Sequence, residues 1–200
     1  DLSVRSELGK GSAFTLWLPA ATAAAREAAR WHAQSPDAAA RFSGLADVGE
    51  LLLHELERLV DAFVTHLRAE RIIPSADSLR FSQLADHVAT YVAGIAAVLI
   101  AIEEARGQPS SLVADGSEIQ RLVAERHGTH RAHLGWSRDT LSGEWKILRV
   151  EIERAIRRHA QTLPERAVAE ALALIERFLA QAEEISIRAL TRAMLPGRGS

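Results

Sequence analysis

Two periodicities divide the chain. Near the start apolar and polar residues alternate, Leu2-Ser3-Val4-Arg5-Ser6 and again Ala13-Phe14-Thr15-Leu16-Trp17-Leu18 up to Pro19. Gly9-Lys10-Gly11 separates the runs, so residues 1–19 read as a β-hairpin. A lone two-stranded hairpin is marginal in water and needs a partner sheet that this chain does not supply. Residues 20–43 are Ala- and Arg-rich with a weak apolar stripe, the pattern of a linker helix, with Ser35-Pro36-Asp37 as a break within it.

Beyond residue 43 apolar positions recur by threes and fours, the helical period. Leu52, Leu56, Leu59, Phe63 and Leu67 predict one helix over 44–70, and Ile72-Ile73-Pro74 a turn. Leu84, Val88, Tyr91, Ile95, Val98 and Ile102 predict one helix over 79–106. Val92, Leu99 and Ile100 give it a second apolar face, so it is expected at the centre. After the loop Gly107-Gln108-Pro109-Ser110, a helix is expected from Asp115 or Ser117 to Leu134. Gly135 should stop it and Ser137 cap the next. That next helix buries Leu141, Trp145, Leu148, Ile152 and Ile156. Pro164 suits a first helical position and opens a long last helix to residue 194, followed by the tail 195–200. A second apolar row on it, Leu174, Phe178 and Ile185, suggests a homodimer interface. The expected class is all-α, with the hairpin as an addition.

Composition narrows the function. The 200 residues are 48% hydrophobic and 25% charged, with a net charge of −2. No electrostatic footprint for nucleic acid is visible. There is no cysteine, which excludes disulfides, thiolate metal sites and Cys nucleophiles and fits a cytoplasmic protein. The most apolar stretch, Val88 to Ile102, is shorter than the roughly 20 residues of a membrane span, so membrane insertion is not expected. The chain opens without Met inside a strand, which reads as a piece of a longer protein.

Two segments carry a resemblance. Ser6-Glu7-Leu8-Gly9-Lys10-Gly11-Ser12-Ala13-Phe14-Thr15-Leu16-Trp17-Leu18-Pro19 resembles the closing hairpin of the histidine-kinase ATP-binding domain, which ends in Gly-x-Gly-Ser/Thr-x-Phe, a strand and Pro. The resemblance makes Gly9, Gly11 and Ser12 the remnant of a phosphate loop, whose amides and hydroxyl suit a phosphate. The phospho-acceptor helix and the Mg-binding Asn motif are absent, so ATP binding and catalysis by this chain are not expected. The second segment is His127-Gly128-Thr129-His130-Arg131-Ala132-His133-Leu134-Gly135-Trp136, followed by Leu141, Glu144-Trp145 and Ile147-Leu148-Arg149. It resembles the N-terminal domain of RsbR-type stressosome proteins, also found attached to histidine kinases. The resemblance covers about residues 44–194, with Leu84-Ala85-Asp86-His87-Val88 as a second anchor; Lys146 departs from it, where a smaller or less basic residue is expected. It implies a globin-like, haem-free, dimeric sensory domain with no cofactor, joined to a kinase whose response regulator the sequence does not name. Its motif residues here are His127, Arg131, Gly135, Trp136, Glu144, Trp145 and Arg149.

Other chemistry was weighed against plainer readings. His127, His130 and His133 fan across about 120° of helix surface, whereas a metal site needs them convergent. Pairing of Glu144 with Arg131 or His127 is the better reading. Arg131 lies four residues before Gly135 and Glu144 nine after it, so antiparallel helices bring them to similar heights. Trp136 and Trp145 would close that corner. A haem or metal sensor, with His66 or His87 as axial ligand, is one alternative. A phosphotransfer domain using His54 is another, although His54-Glu55-Leu56 lacks the Arg-Thr-Pro continuation of a kinase acceptor.

Overall fold

The computed structural model describes residues 2–7, 11–16, 42–70, 79–85, 87–106 and 111–195, with the backbone alone for 2–7, 11–16 and 111–117. The linker helix at 20–43 lies outside these residues apart from 42 and 43. So do the breaks at Ser35-Pro36-Asp37 and Ile72-Ile73-Pro74, the loop Gly107–Ser110 and most of the tail. The chain divides into two compact units, 1–35 and 36–200. In the first, β1 (Leu2–Glu7) and β2 (Gly11–Leu16) pair antiparallel, Leu2 opposite Leu16 and Glu7 opposite Gly11.

The second unit is helical: α1 (Leu45–His54), α2 (Leu56–Ala69), α3 (Phe81–Ala85), α4 (Val88–Glu104), α5 (Ser111–His133), α6 (Arg138–Arg158) and α7 (Glu165–Met194), with a 3-10 turn at Ala160–Thr162. It is built on close helix pairs. α4 packs on α1 and α5, α7 on α5 and α6, and α2 on α6. At two crossings the backbones touch because a side chain is missing. A Cβ on Gly49 of α1 would stand 2.7 Å from the Ala96 carbonyl oxygen of α4. One on Gly128 of α5 would overlap the Ser186 backbone of α7, where the Ser186 hydroxyl also donates to the Ala124 carbonyl at 2.8 Å.

Four expectations need correction. The helix over 44–70 is interrupted at Glu55 (φ −85°, ψ 1°), between α1 and α2. No glycine or proline stands there. Glu55 is buried and accepts from Arg158, at the far end of α6, at 2.7 Å, so a tertiary ion pair holds the kink. The helix over 79–106 is likewise α3 and α4, for a reason that belongs to the site below. α5 begins at Ser111 rather than at residue 115 or 117: Gly116 costs a helix only about 1 kcal/mol, and the helix runs through it. Finally, the second row of α7 is not a free surface. Ile185 is buried, and Leu174 and Phe178 are partly buried against the core.

The central position of α4 holds: Val88, Tyr91, Val92, Ile95, Ala96, Val98 and Leu99 are buried. Taken together, Phe81–Glu104 is long and apolar enough to cross a membrane by length and composition. In the structure α4 packs among helices on both sides.

Candidate functional site

The α5–α6 corner is set by local chemistry. Gly135 takes φ +74°, the left-handed conformation that favours glycine. Its amide donates to the Ala132 carbonyl at 2.9 Å and the Trp136 amide to the Arg131 carbonyl at 3.0 Å. This pair of bonds closes the end of α5 in a Schellman arrangement. Two residues later the Ser137 hydroxyl caps α6, accepting from the Thr140 amide at 3.1 Å.

That corner redirects the chain into α6 and brings Glu144 to Arg131. Both are buried, Arg131 with no exposed surface and Glu144 2% exposed. Arg131 donates from Nε and Nη2 to the carboxylate, Nε at 3.0 and 3.1 Å from its two oxygens. His127, one turn before Arg131, contacts Glu144 Oε2 through Nε2 at 2.9 Å. Trp136 covers the guanidinium, whose carbon lies 4.6 Å from the ring centroid. The Trp145 ring meets His127 and Tyr91 edge to face at 5.4 and 5.2 Å. Burial works to raise the Glu144 pKa; His127 and Arg131 outweigh it and hold the carboxyl down at about 2.

The remaining guanidinium donors go elsewhere. Arg131 Nη1 donates to the Gln83 carbonyl at 2.7 Å and Nη2 to the Leu84 carbonyl at 3.0 Å. In a continuous helix those carbonyls would accept from the amides of residues 87 and 88. Arg131 takes them instead, and α3 ends at Ala85. One buried side chain thus links α5, α6 and the α3–α4 break.

The other residues singled out by sequence fall apart from this cluster. Arg149 faces α7, donating to Glu176 at 3.1 Å and Glu183 at 2.7 Å, partly exposed. Lys146 is exposed on α6 and leaves the packing undisturbed. Gly11 and Ser12 open β2 opposite Glu7 and Ser6; Gly9 lies outside the described residues. His54 is the exposed last residue of α1. His66 contacts Glu151 at 2.9 Å through Nδ1 and Glu70 at 3.6 Å through Nε2.

His130 and His133 do not join His127. They line an open groove with His87, while His127 points into the corner. No group of three or more potential metal ligands gathers among the described residues. Beside the cluster lies a small cavity of about 10 Å³, lined by His87, Tyr91, His127, Glu144, Trp145 and Leu148. That is room for about one water, far below the size of a haem.

Two polar features escaped sequence reasoning. Glu151 is buried one heptad after Glu144, between His66 and Arg154. A second carboxylate on the buried stripe of α6 is the signal that would have found it. Gln120 donates to the Tyr91 carbonyl at 3.1 Å, in space left by Gly94.

Comparison of the chain with protein families, curated proteins and solved structures gives no match.

Proposed function

We propose that the chain is the non-catalytic sensory and dimerisation module of a cytoplasmic bacterial sensor histidine kinase, with residues 44–194 in a globin-like arrangement of the RsbR type. The hairpin at 1–19 would be the last piece of the ATP-binding domain. The observation that carries this reading is the buried cluster itself. His127, Arg131, Glu144, Trp136 and Trp145, the motif behind the resemblance, pack as one unit whose guanidinium also terminates α3. Such a cluster suits a switch. Release of Arg131 from the carbonyls of residues 83 and 84 would free them for helix bonds between α3 and α4, and a signal that shifts the cluster would repack three helices together.

The test uses the full-length kinase that this proposal expects, with a core upstream of residue 1. Autophosphorylation is measured with and without residues 44–194. A changed rate supports the proposal. An unchanged rate, or an upstream sequence with no kinase core, rejects it. The dimer, with α7 contributing to its interface, belongs to the same proposal and rests on the resemblance. A monomer mass by light scattering at tens of micromolar would remove it.

A further inference from the structure

A wide concavity lies away from the buried cluster. It is an open groove of about 700 Å³ beside the C-terminal turns of α5 and α7, lined by Arg126, Thr129, His130 and His133 on α5, Ala189, Arg192 and Ala193 on α7, and by His87 and Glu125. The two helices touch at Gly128 and Ser186, and beyond that crossing the groove opens.

Two of its cations are unengaged. Arg126 and Arg192 border it, whereas the nearby Arg131 is held by Glu144 and Arg188 by Glu184 at 2.9 Å. The single acid of the lining, Glu125, is engaged by Arg121 at 2.7 Å. Arg126 and Arg192 stand exposed on different helices, and neither side chain has a hydrogen-bond or ion-pair partner among the described residues. A chain of net charge −2 thus sets two unpaired guanidinium groups, one from each helix, around one concavity of small-molecule size.

A plainer account exists. The C-terminal end of a helix carries partial negative charge and attracts basic residues. That explains a basic residue in each last turn. It does not explain why Arg126, seven residues before the end of α5, and Arg192 border the same 700 Å³ groove with no acid paired to either among the described residues. A spherical halide would leave most of the donors unused. A phosphate offers several acceptor oxygens and about two charges, which guanidinium forks and imidazoles match in geometry.

We infer that this groove binds a small molecule carrying a phosphate or diphosphate group. Arg126 and Arg192 supply the charge from opposite walls, and Thr129, His130 and His133 line the space between. The inference goes beyond the kinase reading and does not depend on it. The groove reaches His87, two residues past the end of α3, so an occupant would sit beside the break that Arg131 holds.

Inorganic pyrophosphate is the probe, titrated calorimetrically into the whole chain at low ionic strength. The expected result is saturable 1:1 binding with Kd below about 1 mM, weakened about tenfold by Arg126→Gln and by Arg192→Gln. Arg177→Gln, an exposed arginine of α7 outside the groove, should leave Kd unchanged. Absence of saturable binding overturns the inference, as does an equal loss in Arg177→Gln. A lowered Tm in the groove variants with no binding to the parent chain assigns the arginines to the helix ends alone. Competition by sulfate at equal concentration would reduce the site to an unspecific dianion contact and also overturn it. A phosphoserine peptide or poly-glutamate that binds while pyrophosphate does not would replace the small molecule with a protein partner.

Discussion

Two of the arginine–carboxylate contacts that α6 makes differ in setting. At its start Glu144 holds Arg131 with both groups out of solvent. Five residues further on, Arg149 reaches Glu176 and Glu183 of α7 from a position about one-fifth exposed, and Glu176 is mostly in solvent. The exposed pair is screened, and such pairs contribute about 0–1 kcal/mol. The buried pair had to leave water on both sides, so its net worth is small while the loss of either partner is large. Setting also decides what each contact does. Arg149 fastens two helices that already pack; Arg131 changes where a third begins and ends.

The strongest way to break the comparison is to remove one buried partner. Glu144→Ala strands Arg131 and should cost about 3–5 kcal/mol in urea unfolding. Arg131→Leu alone should cost a similar amount. The double change should recover part of the loss, since no charge is then left buried without its partner. A double variant whose cost equals the sum of the singles would show that the two do not couple.

Acid comes next. The folded Glu144 pKa is depressed, so its contribution is fully present above the unfolded value of about 4.5 and disappears as pH falls through the folded value of about 2. Between pH 5 and 2.5 the parent should lose on the order of 2 kcal/mol more stability than Glu144→Gln. Parallel curves would remove Glu144 from the acid response. Glu55, lowered by its hydrogen bond from Arg158, titrates in the same direction and is common to both proteins.

Ser137→Ala removes the cap that starts α6 toward the corner. It should cost about 1 kcal/mol, and Ser137→Asp should restore most of it. Arg149→Ala is the smallest change expected, below about 1 kcal/mol and shrinking further as salt is added. A cost above 2 kcal/mol there would erase the distinction between the two contacts.

Sequence gave unequal access to these features. Gly135 and Ser137 were readable because a stop and a cap act through neighbours one to four residues away. The meeting of Arg131 with Glu144 followed from counting residues on either side of that corner. The breaks at Glu55 and after Ala85 were not readable. Each depends on an arginine far along the chain, Arg158 at 103 residues and Arg131 at 47 or 48, and the apolar period passes through both without a fault. The row Leu174, Phe178 and Ile185 misled for a related reason. A helix that contacts two neighbours shows two apolar rows, and here both rows are at least partly covered within one chain, by α5 and α6.

The contact of Gly128 with Ser186 has a mechanical side. α7 is 30 residues long, about 45 Å at the helical rise. It is pinned against α5 near Ser186, where the backbones leave no room for a methyl group. The pin divides the rod unequally, about 12 Å toward Met194 and about 31 Å toward Glu165. Tilted about that fulcrum, the long arm sweeps two to three times as far as the short one, roughly in the ratio of the two lengths. A displacement of 1 Å on the groove side would therefore emerge as about 2.5 Å at the start of α7, beside the glycine at 44 that lies under Ala167.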